Sequence, residues 1–163
     1  MSAGGGAGGS FESRLAELGI ELPQVAAPVA AYVPTVATGS YVYTSGQLPF
    51  VSGALPATGK VGDGHGLVPA DDAKEYARTA VLNALAAIRA EIGSLDRITR
   101  VVKVVGFVAS DPAFTGQPGV INGASELLGE IFGDTGRHAR SAVGVAVLPL
   151  DAPVEVELVV EFA

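Results

Sequence analysis

The chain contains no cysteine, only two histidines and only ten lysine and arginine residues in total. The lack of cysteine excludes disulfides and thiolate chemistry, and it fits a cytoplasmic location. A structural zinc site is normally built from cysteine and histidine ligands at characteristic spacings, and this sequence has two histidines and no such pattern. We therefore predict no metal. The net charge of −7 offers no basic footprint for a phosphate backbone, and nucleic acid is therefore not the expected partner.

Long apolar runs are also missing. None approaches the ~20 residues that a membrane-spanning helix requires, and no charged segment followed by an apolar one marks a secretory signal. Hydrophobic residues still make up 48% of the sequence, which is enough for a packed core. Residues 1–10 are almost entirely Gly, Ala and Ser, so they are predicted to form a flexible tail. We expect residues 11–163 to form a single domain.

The hydrophobic pattern predicts a short N-terminal helix followed by the order β-β-α-β-α-β-β, an α+β sheet with two main helices. A Ser-Asp-Pro sequence at 110–112 is typical of a helix start. The predicted elements are the short helix 11–18, a hairpin of strands 32–36 and 41–47, the helix 71–92, the strand 98–109, the helix 120–132 and two C-terminal strands separated by 149–153.

Two of these strands, 101–109 and 142–148, are apolar on both faces. Strands with this pattern are normally covered on both sides. Two helices cover only one side of such a sheet, so we expect the other side to be a subunit interface. The alternative is that small residues such as Gly106 and Gly144 make that side polar enough to remain exposed to water.

The last two strands carry the charges of greatest interest. Arg137 and Arg140 lie at the start of one strand, and the final strand places Glu155, Glu157 and Glu161 on one face by strict alternation. We expect the final strand to place a carboxylate beside a guanidinium of the neighbouring strand, at the mouth of the sheet. Such a pair can hold a small anion and activate a water molecule, or it can form a purely structural ion pair.

Several segments, taken in order, form a fairly specific combination. They are Tyr32-Val33-Pro34, the run Tyr-Thr-Ser-Gly-Gln-Leu-Pro at 43–49, the helix 80–88 with Asn83, the strand 101–108, Ala139-Arg140-Ser141, Leu148-Pro149 and Val154-Glu155-Val156-Glu157. With them the chain resembles the Rid/YjgF family, also known as endoribonuclease L-PSP, over about residues 26–163. Each motif alone would be weak.

The resemblance implies a chorismate-mutase-like fold, with a mixed sheet and two helices on one face. Members of the family are homotrimers with three pockets at their subunit interfaces. Well-studied members hydrolyse reactive enamines and imines, such as 2-iminopropanoate and 2-iminobutanoate, to 2-oxo acids and ammonia, and they need no cofactor. The implied partners are therefore a small carboxylate substrate and other copies of the same chain.

The resemblance also implies individual roles. Arg140 matches the arginine that clamps the substrate carboxylate, and Glu155 matches the glutamate that orients the water. The remaining matched positions line the pocket: Tyr32, Ser45, Gly46, Asn122 and Ala142. Ala142 contributes its backbone carbonyl. Ordinary structural explanations exist for each, such as a strand aromatic, a strand end or a helix start. Neither His65 nor His138 is assigned a role.

The chain departs from the family pattern at two motif positions. Ala142 stands where many members have cysteine, and Gly144 replaces a common glutamate. These departures indicate a divergent subgroup whose substrate can differ. Two alternatives to a deaminase therefore remain: a trimer that binds small carboxylates without turnover and, ranked last because of the acidic net charge, an endoribonuclease.

Overall fold

The computed structural model describes residues 10–25 and 31–163, and its elements follow the predicted order. Apart from Ser10, which caps the first helix, the predicted flexible tail lies outside the described residues. The helices are α1 (Phe11–Glu17), α2 (Ala70–Ile92) and α3 (Gln117–Phe132), and the strands are β1 (Thr35–Thr38), β2 (Tyr41–Thr44), β3 (Ile98–Ala109), β4 (Ala139–Val145) and β5 (Val154–Phe162). Within these ranges, no helix is long and apolar enough to cross a membrane.

The five strands form one mixed sheet in the order β1-β2-β5-β3-β4, in which only β3 and β4 run parallel. The predicted α+β class with two main helices is thereby confirmed. The prediction that Arg140 and Glu155 lie on neighbouring strands is wrong, because β3 lies between β4 and β5. After β4 the chain crosses the end of β3 and returns along the other edge of that strand as β5. At this end of β3, the amide of Ser110 donates a hydrogen bond to the β4 side and the amide of Ala109 donates one to the β5 side.

One face of the sheet is buried beneath α2 and α3. The side chains of Val104, Val108, Val156, Leu158 and Val160 point toward these helices and are almost inaccessible to solvent. On α2, small residues at helical spacing bring the helix backbone close to its neighbours; they include the buried Ala73, Ala77, Ala80 and Ala84. The helices and this face make up the main core of the chain.

The opposite face, which we call the open face, is not covered by the described part of the chain. Val36, Tyr43 and Val143 lie on it and are 53%, 49% and 45% exposed. Register supports this placement, since Val36 pairs with Tyr43 and Val143 pairs with Phe107. The predicted subunit interface therefore has a physical candidate, because such patches usually mark contact sites.

The Ser110-Asp111-Pro112 segment is not a helix start, contrary to the prediction. Its residues form a tight turn in which the Asp111 carboxylate accepts a hydrogen bond from the amide of Ala113, and its carbonyl accepts one from Phe114. Helix α3 begins after this turn, at Gln117, which is three residues before the predicted start at 120, and Pro118 lies in its first turn. Asp111 does accept backbone hydrogen bonds as a helix-capping residue would, but these bonds close a turn and no helix follows directly.

Candidate functional site

Arg140 is held in place by uncharged acceptors of helix α3. Its Nη1 donates to Asn122 Oδ1 at 2.8 Å and to Ser125 Oγ at 3.2 Å, and its Nη2 donates to the carbonyl of Pro118 at 3.2 Å. Among the described residues no carboxylate forms an ion pair with it, whereas Arg14, Arg78, Arg89 and Arg137 each have one. Arg140 is therefore an oriented cation whose charge no carboxylate within residues 10–25 and 31–163 neutralises.

Strand β4 determines where this guanidinium points. Arg140 pairs with Val104 on β3 and shares its face, so its side chain is directed toward α3. Ala142 lies two residues further along the same face and is packed against the core. Asn122, Arg140 and Ala142, three of the predicted site residues, thus lie together, and we call them the arginine cluster.

Three other predicted residues lie together at the start of β5, and a fourth, Tyr32, lies on a segment that is hydrogen-bonded to them. Gly46 lies directly against Glu155, since a Cβ built on Gly46 would be 1.9 Å from Glu155 Oε1. The chain is held there because the amide of Gln47 donates to the carbonyl of Val156 at 2.8 Å. The Ser45 hydroxyl donates to the carbonyl of Val33 at 2.6 Å, which draws the segment of Tyr32 to the same end. We call Tyr32, Ser45, Gly46 and Glu155 the glutamate cluster.

The environment of Glu155 raises the pKa of its carboxyl group. Burial raises the pKa of this carboxyl above its ordinary value of 4.5, and the charge of Glu157, two residues along the same face, raises it further. No ion pair joins Glu155 to another residue in the described ranges to oppose these effects. A carboxylate of raised pKa is suited to accepting a proton from a bound water, and the missing side chain of Gly46 is what admits Glu155 Oε1 to its position.

Within one chain the two clusters lie on opposite faces of the sheet. Arg140 pairs with Val104, and Val104 pairs with Leu158, so these three share the face under the helices. Glu155 precedes Leu158 by three residues and therefore projects from the open face, because side chains alternate along a strand. A single copy does not bring Arg140 and Glu155 together.

Sequence reasoning missed two residues next to Arg140. Ser125, which accepts from its guanidinium, also forms a 2.8 Å hydrogen bond with His138 Nε2, and the other ring nitrogen lies 2.6 Å from the carbonyl of Gly136. His138, to which the sequence assigned no role, therefore has a hydroxyl partner. Their spacing could have indicated both residues. Ser125 follows Asn122 by three positions and so shares its face of the helix, and His138 precedes Arg140 by two positions.

Metal ligands do not assemble in the described part of the chain. Across residues 10–25 and 31–163, no three side chains of the His, Asp and Glu types gather closely enough to hold an ion.

Comparison with known proteins gives a consistent result. The family described as "YjgF/chorismate mutase-like, putative endoribonuclease" matches residues 12–162. Protein TCP17 of Trypanosoma cruzi is 44% identical over 158 residues, covering 95% of this chain and 96% of that protein. A crystal structure from Shewanella oneidensis, described as a "putative endoribonuclease", is 36% identical with a TM-score of 0.89, covering 94% of this chain and 100% of that one.

A second similar structure contains a ligand. It is E. coli TdcF with bound serine, which is 25% identical to this chain with a TM-score of 0.64, over 86% of this chain and 94% of TdcF. These similarities extend over nearly the whole chain.

Proposed function

The chain belongs to the YjgF/chorismate mutase-like family, and from this premise we propose that it hydrolyses small 2-imino acids to 2-oxo acids and ammonia. The observation that carries the proposal is the state of Arg140. Its guanidinium is oriented by three neutral acceptors and lacks a carboxylate partner among the described residues. A substrate carboxylate would supply the missing charge.

A guanidinium matches a carboxylate in geometry as well as in charge. Its two parallel N–H donors can bind both carboxylate oxygens, and such charge-assisted bonds are about twice as strong as neutral ones. Asn122 and the carbonyl of Pro118 fix the guanidinium before a ligand arrives, so little entropy is lost when it binds. The serine bound to TdcF supports this substrate class, because serine carries its nitrogen on the carbon next to the carboxylate, as a 2-imino acid does.

The reaction needs a water molecule, a base and a proton for the leaving nitrogen. In the proposed mechanism Glu155 accepts a proton as the water oxygen bonds to C2 of the imine, giving a tetrahedral carbinolamine. Glu155 passes this proton to the nitrogen, and the hydroxyl proton of the carbinolamine follows it by way of the same carboxylate. As the C2=O double bond forms, the C–N bond breaks and ammonia leaves a 2-oxo acid. Arg140 holds C2 in place by its attached carboxylate, which makes the attack effectively intramolecular.

The proposal requires two copies of the chain. Arg140 and Glu155 project from opposite faces of one sheet, so a shared pocket must combine the arginine cluster of one copy with the glutamate cluster of another. The uncovered apolar open face supports association, and Glu155 lies on it. We propose a homotrimer with the site at each interface, as the family resemblance implies.

The activity is tested by following 2-oxo acid release from imines that an amino-acid oxidase generates in place. The protein should accelerate the release above the spontaneous rate, and Glu155→Gln should lower kcat by about a hundredfold. Glu161→Gln, on the same strand and face but bonded to Thr99, is the matched control and should behave as wild type. Equal rates with and without protein would refute the deaminase; a small acid that nevertheless binds would then favour a non-catalytic carboxylate-binding trimer.

The pH dependence of kcat/KM should report the raised pKa of Glu155. Only the carboxylate form accepts a proton, so activity should fall on the acid side at a higher pH than an ordinary glutamate would give. Glu157→Gln removes one of the two causes and should move this acid limb to lower pH. An acid limb that stays in place, or moves upward, would exclude Glu155 as the base.

Gly46→Ala should reduce activity without unfolding the protein. The new Cβ would lie 1.9 Å from Glu155 Oε1 and 2.8 Å from its Cδ, so the end of this flexible side chain must move away from its position. We expect kcat to fall by about tenfold or more, since a misplaced base loses most of its contribution. Gly119→Ala, where the added Cβ meets nothing within 4 Å, is the control. Wild-type kcat in Gly46→Ala would show that the position of Glu155 is unimportant.

A further inference from the structure

A hydrogen-bonded chain runs from the carbonyl of Gly136 through His138 to Ser125. His138 Nδ1 lies 2.6 Å from that carbonyl, and His138 Nε2 lies 2.8 Å from Ser125 Oγ. A carbonyl oxygen only accepts, so Nδ1 carries the hydrogen and donates it. In the neutral ring Nε2 is then the acceptor, and the Ser125 hydroxyl donates to it.

The direction of the Ser125 hydroxyl is unusual for a residue within a helix. A helical Ser or Thr commonly donates to the carbonyl four residues earlier, as Thr79 does to Glu75 in α2 at 3.2 Å. Ser125 instead bonds outside its helix, to an imidazole whose own orientation is fixed by Gly136. A hydroxyl, a base and a group that orients the base are the three parts of an activated nucleophile.

These groups border open space. Ser125 and His138 line a groove of about 490 Å³, and the other lining residues are Gly129, Gly133, Gly136 and Arg137. A Cβ added at Gly129 or Gly133 would meet nothing within 4 Å, so the glycine side of this groove is open. Arg140 Nη1 lies 3.2 Å from Ser125 Oγ, which puts a cation beside the oxygen that would attack.

We propose that Ser125 is a nucleophile activated by His138 and that this groove is an acyl-transfer site for small carboxylic esters. Ser125 Oγ bonds to the ester carbonyl carbon while its proton passes to His138 Nε2. The tetrahedral intermediate then collapses, the C–O bond to the alcohol breaks, and the alcohol leaves with the proton from His138. Water, deprotonated by the same imidazole, hydrolyses the acyl-serine and restores the hydroxyl.

Arg140 and the wall of the groove suit this chemistry. Negative charge develops on the carbonyl oxygen in the tetrahedral intermediate, and a guanidinium next to Ser125 can stabilise it. The groove is shallow, and four of its six lining residues are glycine or serine, so it favours short acyl groups such as acetyl over long chains. Glu155 takes no part, which separates this activity from imine hydrolysis.

The test is covalent labelling of the purified full-length protein with a fluorophosphonate, together with hydrolysis of p-nitrophenyl acetate. We expect one adduct per chain, located on Ser125 by peptide mapping. Ser125→Ala should abolish it, and His138→Gln should slow labelling and ester hydrolysis by at least about a hundredfold, the usual contribution of a positioned base. His65→Gln, which changes the other, exposed histidine, and Ser13→Ala, which removes an exposed hydroxyl on α1, are the controls.

A second variant keeps the test decisive if Ser125→Ala folds poorly. Ser125→Cys introduces the only thiol of the chain, and iodoacetamide should modify it at least about tenfold faster than in the Ser125→Cys, His138→Gln double variant, because the imidazole promotes the thiolate. Labelling and ester hydrolysis should persist in Glu155→Gln, which should lose imine hydrolysis only. An unlabelled wild type, labelling that survives Ser125→Ala, or thiol reactivity indifferent to His138 would overturn the proposal.

Discussion

Arg140→Ala is expected to lower kcat/KM for 2-imino acid hydrolysis by about a hundredfold or more. The variant removes the charged donors proposed for the substrate carboxylate, and hydrogen bonds to a charged group are each worth about 1.5–3 kcal/mol. The loss should appear mainly in substrate binding and orientation, since Glu155 would remain available as the base. Steady-state kinetics on an imine series of increasing chain length measures it.

Two further variants separate charge from geometry at this position. Arg140→Lys keeps the positive charge but cannot offer two parallel donors or bond to Asn122 and Pro118 together, so it should recover only a small part of the activity. Arg100→Ala removes an exposed arginine of β3 and should leave the kinetics unchanged. Full activity in Arg140→Ala would show that the substrate carboxylate is bound elsewhere.

Gly123→Ala should destabilise the fold more than any other single methyl addition discussed here. A Cβ on Gly123 would lie 2.0 Å from the carbonyl oxygen of Lys74 and 2.9 Å from its carbonyl carbon. Both atoms belong to the backbone of α2, so they cannot rotate away and the two helices must separate. Overpacking typically costs about 1–3 kcal/mol, and contact with rigid backbone places Gly123→Ala at the upper end of that range. Urea denaturation of the assembled protein measures the loss.

The matched control for Gly123→Ala lies on the same helix. Gly129→Ala adds a methyl group with nothing within 4 Å, and alanine is the better helix former by up to about 1 kcal/mol. The urea midpoint of Gly129→Ala should equal that of the wild type or be higher. Equal midpoints for Gly123→Ala and wild type would mean that α2 and α3 do not pack at this distance. The contact matters for function as well, because α3 carries the Asn122 side chain that orients Arg140.

The long periodic elements could be predicted from local pattern alone. The strand 98–109 was predicted with the bounds it has, and helix α2 begins one residue earlier than predicted. Helix α2 repeats a helical apolar spacing over its whole length, and β3 is a long, nearly continuous apolar run, so in each the signal accumulates. The start of α3 was less certain because capping residues and turn residues are chemically the same, and Ser110-Asp111-Pro112 forms a turn.

Strand order could not be predicted in this way. Nothing local to 139–162 indicates that β5 pairs with β2 and β3 while β4 remains at the edge. Because β4 and β5 are consecutive in sequence, Arg140 and Glu155 were expected on neighbouring strands. In the structure β4 pairs in parallel with β3 and is therefore not paired with β5. The partnership of Ser125 and His138 also depends on how β4 lies against α3, and helical spacing alone does not reveal it.

The separation of Arg140 and Glu155 within one chain leads to the most direct test of the proposed site. Arg140→Ala and Glu155→Gln proteins, each inactive alone, are mixed in equal amounts, unfolded and reassembled. In a closed trimer whose sites each take Arg140 from one copy and Glu155 from the next, random mixing should restore about a quarter of wild-type activity, because every mixed trimer has one intact interface. Imine hydrolysis that returns to about this level confirms a site shared between copies. A reassembled mixture that remains as inactive as its two components would contradict it.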